Sequence, residues 1–236
     1  MINFDYFEKE LNNVSIELDD YAFDRFDVFA QRLVRWNEHI NLTAITDPDE
    51  IVLKHFVDCL YINKFIDILK QAKVIDVGTG AGFPGMPMLI ADSSLDMTFL
   101  DSVGKKLAFL REVLKYNGIY GELLHGRAED IGRDKNYREK YDIATARAVA
   151  PLNKLCEYCL PFVKVGGIFV SLKGANAREE ITQAKKANST LGGKLVNCFE
   201  YELSSGDKRS IIVIKKISQT PTRYPRKPKK IDTKPL

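Results

Sequence analysis

The sequence contains no hydrophobic run long enough to cross a membrane. None of its apolar stretches approaches the roughly 18 residues that a transmembrane helix needs. The first six residues also lack the basic start and the apolar core of a signal peptide. These absences argue against an integral membrane protein and against a secreted one, so we expect a cytoplasmic protein.

Cysteine and histidine are scarce, with four and three residues in a chain of 236. A chain of this length can bury a core without disulfide bonds, so we expect reduced thiols. Cys156 and Cys159 have the spacing of a zinc or redox pair, but no second pair completes a zinc site. They also fall inside a predicted helix, whereas a redox pair belongs at a helix start. We therefore predict core thiols and no metal site.

The two ends of the chain differ in charge. Residues 1–30 hold eight acidic and two basic residues, whereas residues 215–236 hold eight basic residues and one acidic residue. Such a basic tail, which contains four prolines, cannot form a core of its own and suits binding to a polyanion. The alternative is a solvated, disordered end without a partner.

Three regions follow from the apolar pattern. Residues 1–70 predict a helical region, with an amphipathic helix over residues 21–40 and a second helix that Asp47 caps. Residues 71–217 alternate between apolar strands and helices, and residues 218–236 form the basic tail.

The alternation over residues 71–217 predicts an α/β, Rossmann-like fold with a mostly parallel sheet covered by helices on both faces. The last two strands are joined by residues 204–208, which leave no room for a helix, so these strands must be antiparallel. The predicted strands are residues 73–78, 96–101, 120–125, 141–146, 167–173, 195–203 and 210–217, and the predicted helices are residues 84–91, 104–117, 151–164 and 176–190.

A glycine-rich loop follows the first strand, with the pattern Asp76-x-Gly78-x-Gly80-x-Gly82. Glycines let the backbone approach a ligand closely and adopt positive φ. The next strand ends at Asp101, and an acid beside a glycine loop is the arrangement that binds ribose hydroxyls in doubly wound folds. We therefore predict a site for a nucleoside-containing cofactor.

Two registers of this loop indicate different cofactors. Gly80-x-Gly82-x-x-Gly85 fits the dinucleotide fingerprint and would indicate NAD. That fingerprint begins where the strand ends, which is Gly78 here, and this places Phe83 where the third glycine belongs. The register that begins at Gly78 resembles the first motif of S-adenosylmethionine-dependent methyltransferases. We favour it and keep an NAD-dependent oxidoreductase as the alternative.

Residues after the other strands are candidates for cofactor contacts. Asp101 would accept hydrogen bonds from both ribose hydroxyls, unless it only caps the following helix. Ala128 and Glu129 would read an adenine through a backbone N–H and a carboxylate. Arg147 would bind the cofactor's methionine carboxylate or a substrate phosphate, unless it pairs with a helix acid. The role of His55, three residues before Asp58 on a predicted helix, is left open.

Seven segments spread over most of the chain form a specific combination, namely residues 36–44, 54–58, 76–85, 101–102, 146–148, 172–174 and 223–227. This combination resembles the glucose-inhibited division protein B family, the bacterial 16S ribosomal RNA guanine-N7 methyltransferases. The resemblance implies a class I methyltransferase fold, S-adenosylmethionine as the cofactor, and 16S ribosomal RNA or the small ribosomal subunit as the partner. The cofactor contacts that it implies are Gly78, Phe83, Ala128, Glu129 and Arg147.

The implied reaction needs no general base. Guanine N7 carries a lone pair and no proton, so bringing it in line with the activated methyl group of a sulfonium would supply about 7 kcal/mol or more. We therefore expect no catalytic residue. For RNA phosphates we expect contacts from the tail and from a neighbouring lysine, and deletion of residues 219–236 should weaken RNA binding while sparing the cofactor. The expected RNA-binding residues are Lys173, Arg223, Tyr224, Arg226 and Lys227.

A third hypothesis is that the chain is a catalytically silent RNA- or ribosome-binding module with the same fold. The intact glycine loop, Asp101 and Glu129 argue against it. Phe83, the terminal hairpin and the lack of an evident hydride-transfer residue argue against the oxidoreductase.

Overall fold

A seven-stranded sheet forms the centre of the computed structural model, which describes residues 1–236 except for the side chain of Asp20. The order of strands across the sheet is β3-β2-β1-β4-β5-β7-β6. Neighbouring strands from β3 to β5 are parallel, and β7 runs antiparallel to both β5 and β6. The predicted α/β class is confirmed. The strands are β1 (Lys73–Val77), β2 (Asp96–Asp101), β3 (Glu122–His125), β4 (Tyr141–Arg147), β5 (Val163–Lys173), β6 (Gly193–Glu202) and β7 (Lys208–Lys216).

Helices precede the sheet, cover both of its faces and end the chain. None of those that the structure describes is long and apolar enough to cross a lipid bilayer. They are α1 (Phe4–Val14), α2 (Asp20–Asn37), α3 (Pro48–Ile51), α4 (Asp58–Phe65), α5 (Gly85–Ala91), α6 (Gly104–Asn117), α7 (Ala128–Ile131), α8 (Leu152–Cys159), α9 (Ala177–Gln183), α10 (Lys185–Thr190) and α11 (Pro228–Thr233).

Asp47 begins the helical stretch that it was predicted to cap. Its Oδ1 accepts hydrogen bonds from the N–H groups of Asp49 and Glu50, both at 3.0 Å. The stretch then passes from α3 through a π-helical segment, Val52–Val57, into α4. π-helical segments are uncommon and often occur at functional sites, and this one contains His55.

Two predicted helices differ from the structure. The helix predicted over residues 151–164 ends at Cys159, and β5 already begins at Val163. Pro161 lacks the N–H of the next helical hydrogen bond, and its ring obstructs the preceding turn. The helix predicted over residues 176–190 is divided into α9 and α10 at Ala184.

Aromatic side chains connect the N-terminal helices to the sheet. Phe26 of α2 packs against Phe56, with ring centroids 4.8 Å apart. Phe29 packs against both Phe56 and Phe83, each at 5.4 Å. Since Phe83 follows the glycine loop, the N-terminal helices lie directly against the predicted cofactor site.

The basic tail has a fixed course over α8. Arg226 pairs with Glu157 of α8 at 2.6 Å, and the two side chains are 13% and 1% exposed. Arg138 donates hydrogen bonds to the carbonyls of Thr220 (2.7 Å) and Tyr224 (2.9 Å). The tail therefore adopts a defined structure on the body of the protein, and the disordered alternative is wrong.

Candidate active site

One large cavity lies at the carboxyl ends of β1, β2 and β4 and has a volume of about 770 Å³. The strand order reverses between β1 and β4, and open α/β sheets bind ligands at such switch points. Its size falls within the range of small-molecule sites. The cavity is lined by seven predicted cofactor residues, Gly78, Gly80, Phe83, Asp101, Ala128, Glu129 and Arg147. Gly82 lies in the loop but outside this lining.

The glycine loop has the conformation that its sequence predicts. Gly78, Gly80 and Gly82 have φ values of 70°, 59° and 93°, which L side chains rarely adopt. A Cβ at Gly78 would also lie 2.8 Å from Cγ2 of Val149. These observations support the register that begins at Gly78. Gly85 begins α5, and a Cβ there would lie 2.9 Å from Asp76 and from Phe99, so its close packing on the strands fits either register.

Asp76 is fully buried beneath this loop. Its carboxylate accepts hydrogen bonds from the hydroxyls of Thr79 (2.6 Å) and Thr145 (3.0 Å) and from the N–H of Gly85 (3.1 Å). Burial raises its pKa to about 6, although the three hydrogen bonds act in the opposite direction. Asp76 therefore holds the shape of the loop through these three hydrogen bonds.

Asp101 contacts the loop and faces the cavity at the same time. Its Oδ2 accepts from the N–H of Gly80 (2.9 Å), and its Oδ1 accepts from the N–H of Val103 (2.8 Å), just before α6. Each carboxylate oxygen has two lone pairs, so one acceptor position on each oxygen is left for a ligand. The residue thus stabilises the start of α6 without losing its capacity to accept two further hydrogen bonds.

Ala128 and Glu129 begin α7 on the wall of the cavity that follows β3. Glu129 is 5% exposed, and burial raises the pKa of its carboxyl group. A carboxylate shielded from water binds hydrogen-bond donors more strongly than an exposed one. This wall is therefore suited to a ligand that presents N–H groups.

Arg147 connects the N-terminal helices to the end of β4. Its Nη1 donates to Oδ2 of Asp58 (3.2 Å) and to the carbonyl of Lys54 (3.0 Å), and its Nη2 donates to Nδ1 of His55 (3.1 Å). The guanidinium carbon also lies 4.6 Å from the ring centroid of Phe83. A guanidinium has five N–H donors, so two are left for a ligand in the cavity. Arg147 can therefore form its ion pair with Asp58 and contact a ligand at the same time.

The hydrogen bonds of His55 occupy both of its ring nitrogens. Nδ1 lies 3.1 Å from Nη2 of Arg147, which can only donate, and 3.2 Å from the carbonyl of Lys54, which can only accept, and Nε2 lies 2.8 Å from Oγ1 of Thr43. Because the carbonyl of Lys54 already accepts from Nη1 of Arg147, we assign Nδ1 as the acceptor of the guanidinium N–H and place the proton on Nε2. Burial, followed by the charge of Arg147, lowers the pKa of His55 to about 3. The neutral imidazole stacks on Phe83 with ring centroids 4.4 Å apart. His55 thus stabilises the site and has no lone pair free to act as a base.

The five predicted RNA-binding residues lie outside the lining of this cavity. Lys173 donates to the carbonyl of Ala150 and pairs with Glu180, both at 2.7 Å, and its side chain is 9% exposed. Tyr224 is buried and Arg226 pairs with Glu157, whereas Arg223 and Lys227 are exposed.

Several lining residues had no role assigned from the sequence. Thr43 belongs to a segment that carries the family resemblance, and this was the available signal. Pro228 and Asp232 come from α11, and Asp232 pairs with Lys154 at 2.9 Å. No sequence motif could show that the tail reaches this cavity. Among the lining residues without an assigned role are Leu42, Thr43, Lys106, Val149, Lys154, Tyr158, Pro228 and Asp232.

The tail therefore forms part of the cavity wall. This changes the expectation that deletion of residues 219–236 spares cofactor binding, because the deletion would remove Pro228 and Asp232.

The cysteines Cys156 and Cys159 are buried free thiols in α8, as predicted for core residues. Burial raises the pKa of Cys156 to about 12 and that of Cys159 well above its usual value. Within the described residues, no group of three His, Cys, Asp or Glu side chains is placed to hold a metal ion.

Relatives of this chain fall in one family. The profile of the GidB family, described as rRNA small subunit methyltransferase G, matches residues 23–211. A ribosomal RNA small subunit methyltransferase G from Clostridium novyi is 46% identical over 237 residues, which cover 100% of this chain and 98% of that protein. The protein of that name from Acetivibrio thermocellus is 50% identical over 223 residues, which cover 94% of this chain and 91% of that protein.

Solved structures share the fold at lower identity. TrmN from Thermus thermophilus has a TM-score of 0.52 at 18% identity and covers 68% of this chain and 48% of its own. TYW2 from M. jannaschii, in complex with AdoMet, has a TM-score of 0.51 at 15% identity and covers 63% of this chain and 70% of its own. These likenesses show the fold, whereas the profile match and the full-length relatives show that the chain belongs to the GidB family, the rRNA small subunit methyltransferase G family.

Proposed function

We propose that this protein transfers the methyl group of S-adenosylmethionine to N7 of one guanine in small-subunit, 16S ribosomal RNA. The observation that carries the proposal is the single cavity at the switch point of the sheet. It brings the positive-φ glycine loop, Asp101, Glu129 and Arg147 together, in a chain that belongs to the GidB family.

The residues of the cavity fit this cofactor. The free acceptor positions of Asp101 match two ribose hydroxyls, and Glu129 with the backbone of Ala128 matches an adenine edge. The two free donors of Arg147 match a methionine carboxylate. One wall of the cavity is formed by Gly78, Gly80 and Phe83. The two glycines have no side chain, so their backbone can approach the cofactor closely. When bound, S-adenosylmethionine supplies a methyl group already activated by a sulfonium.

Two titratable residues of the cavity, His55 and Tyr158, are not placed to remove a proton from the acceptor. Both ring nitrogens of His55 are engaged in hydrogen bonds. Burial raises the pKa of Tyr158, another lining residue, to about 12, so its hydroxyl stays protonated near neutral pH. Guanine N7 presents a lone pair and no proton, so positioning alone suffices for attack, and we assign no catalytic residue.

For the partner we propose 16S ribosomal RNA or a small ribosomal subunit intermediate, in the cytoplasm. Arg223 and Lys227 are exposed and would contact phosphates directly. Lys173, Tyr224 and Arg226 make contacts inside the protein, so we propose that they act on RNA binding by holding the tail and its neighbouring loop in place.

The cofactor assignment is tested by calorimetric titration of S-adenosylmethionine and of NAD, each into the purified protein. We expect binding of S-adenosylmethionine alone, and we expect Asp101→Ala to abolish it. Asp130→Ala is the matched control, because Asp130 is an exposed acid beside the cavity but outside its lining. Binding of NAD alone would support the oxidoreductase, and binding of neither, with or without RNA, would support the silent module.

The position of the methyl group is tested with RNA substrates. We expect methyl transfer to 16S RNA transcribed with guanosine and none to the same RNA transcribed with 7-deazaguanosine, which has carbon in place of N7. Equal transfer to both RNAs would show that another atom is the acceptor, while leaving an RNA methyltransferase in place.

A further inference from the structure

A second cavity of about 620 Å³ lies between α2 and α6, outside the site described above. We call it the α2–α6 groove. It is lined by Arg32, Arg35, Trp36, His39, Ile40, Ala108, Arg111, Glu112, Lys115 and Tyr116. Its lining therefore contains four Lys or Arg side chains and a single carboxylate.

Three of these cations are free of acidic partners. The one carboxylate, Glu112, pairs with Arg32 at 3.1 Å. Arg35, Arg111 and Lys115 are exposed and form no ion pair with the residues that the structure describes. Since these three side chains have no opposing charge within the groove, the groove presents a net positive surface of three charges.

Aromatic side chains lie among these cations. Nε1 of Trp36 donates to Oε2 of Glu112 at 2.8 Å, and this fixes the indole at the base of the groove. Tyr116 is 55% exposed, and the Arg32 guanidinium lies 3.7 Å from its ring centroid. One face of Tyr116 is thus covered and the ring is held in position. Cations interleaved with aromatic rings are the pattern that binds single-stranded nucleic acid, through phosphate contacts and stacked bases.

The groove and the candidate active site are lined by neighbouring residues of the same two segments. On α6, Ala108 lines the groove and Lys106 lines the active-site cavity. On the other wall, Ile40 lines the groove and Leu42 lines the cavity. Oδ1 of Asn37, the last residue of α2, accepts hydrogen bonds from the N–H groups of Leu42 (2.8 Å) and Thr43 (3.0 Å). The two sites are therefore joined through α6 and through the segment that Asn37 holds at the end of α2.

We propose that the α2–α6 groove binds the backbone of the substrate RNA next to the reacting guanine, with Arg35, Arg111 and Lys115 contacting phosphates. This inference rests on the proposed function and adds an RNA-binding surface on the side of the cavity away from the basic tail. It also explains why a chain whose first 30 residues are acidic carries unpaired cations on α2 and α6.

The test compares two triple variants of the full-length protein in binding to a 16S RNA transcript over a series of KCl concentrations. Each phosphate contact with single-stranded RNA contributes about 0.7 to the slope of log K against log salt. We expect Arg35→Ala/Arg111→Ala/Lys115→Ala to reduce this slope by about 2 and to raise the KM for RNA. Affinity for S-adenosylmethionine, measured by calorimetry, should not change.

The matched control is Lys185→Ala/Lys186→Ala/Lys194→Ala, which removes three exposed cations from α10 and β6 at the opposite end of the sheet. We expect it to keep the slope and the KM of the unaltered protein. A second variant, Arg35→Lys/Arg111→Lys/Lys115→Arg, retains the charges and should retain most of the slope.

Two results would overturn the proposal. If the unaltered protein methylates the RNA and both alanine variants have the same slope, the groove is not an RNA site while the proposed function stands. If the unaltered protein neither binds nor methylates the RNA, both inferences fail. Thermal unfolding of each variant checks that the exposed substitutions leave the fold intact.

Discussion

At the scale of single residues, two glycines with similar φ values distinguish two effects of an added side chain. One effect is backbone strain, and the other is a steric conflict with a neighbouring residue. Gly78 and Gly118 have φ values of 70° and 60°. A Cβ would lie 2.8 Å from Val149 at Gly78, whereas nothing lies within 4 Å at Gly118. The left-handed φ alone should cost alanine about 1 kcal/mol of stability at either position, and the conflict with Val149 adds to this cost at Gly78 only.

We expect only Gly78→Ala to weaken S-adenosylmethionine binding, since only that Cβ forces Val149 and the loop apart at the cavity. Calorimetric titration and urea unfolding of both variants measure the two effects. Equal loss of cofactor affinity in Gly118→Ala would show that the effect is one of general stability.

The sequence alone did not show which groups contact Arg147. The sequence places it after the fourth strand and offers three partners: a cofactor carboxylate, a phosphate or a helix acid. The ion pair with Asp58 joins residues that are 89 positions apart, so only the packing of α4 against the sheet reveals it. His55, whose role the sequence left open, and Asp58 both contact Arg147.

At the scale of elements, two ion pairs join the tail to α8, the buried pair of Arg226 with Glu157 and the more exposed pair of Asp232 with Lys154. Glu157 of α8 is 1% exposed, and its carboxylate accepts from Nε, Nη2 and the backbone N–H of Arg226. Removal of one partner leaves a buried charge without compensation, which typically costs about 3–5 kcal/mol. We therefore expect Arg226→Ala to destabilise the protein by about this amount in urea unfolding.

Arg178→Ala is the control for this prediction. It also breaks an Arg–Glu pair, with Glu200 at 2.7 Å, but the Arg178 side chain is 82% exposed, so we expect little change in stability. We also expect Arg226→Ala to weaken cofactor binding, because α11 lines the cavity. A variant with an unchanged midpoint of unfolding would contradict the structural role given to the tail.

At the scale of the whole molecule, His55 makes stability depend on pH. Its pKa is about 3 in the folded protein and 6.5 ordinarily, so between these values the unfolded chain holds more protons. Stability therefore falls as the pH drops from 6.5 toward 3, by up to about 1.4 kcal/mol per pH unit. Asp76 acts in the opposite direction between 3.8 and about 6, because burial raises its pKa.

His55→Gln removes the titrating group while keeping an amide donor for Thr43. We expect its free energy of unfolding to fall less than that of the unaltered protein between pH 7 and pH 4.5. The contribution of Asp76 is common to both proteins and cancels in the comparison. His39→Gln, at an exposed histidine, is the control, and an equal change in all three proteins would show that His55 is not the cause.

The sequence by itself determined the features that depend on neighbouring residues. The glycine pattern requires positive φ, apolar alternation requires strands and helices, and the short link over residues 204–208 requires an antiparallel hairpin. Each of these is a local steric or burial constraint that can be read without knowing what packs nearby. The Pro161 boundary belongs to the same class, although the apolar pattern concealed it.

Only the tertiary structure decided which distant groups meet. It placed α11 on the wall of the cavity, Arg226 on Glu157, and the free cation of α2, Arg35, beside those of α6. A basic side chain forms an ion pair only if the fold brings a carboxylate within a few ångströms of it. The spacing of the two residues in the sequence does not determine that distance. The sequence therefore left the tail either as a polyanion-binding segment or as a disordered end, whereas in the folded protein its buried ion pair makes it part of the structure.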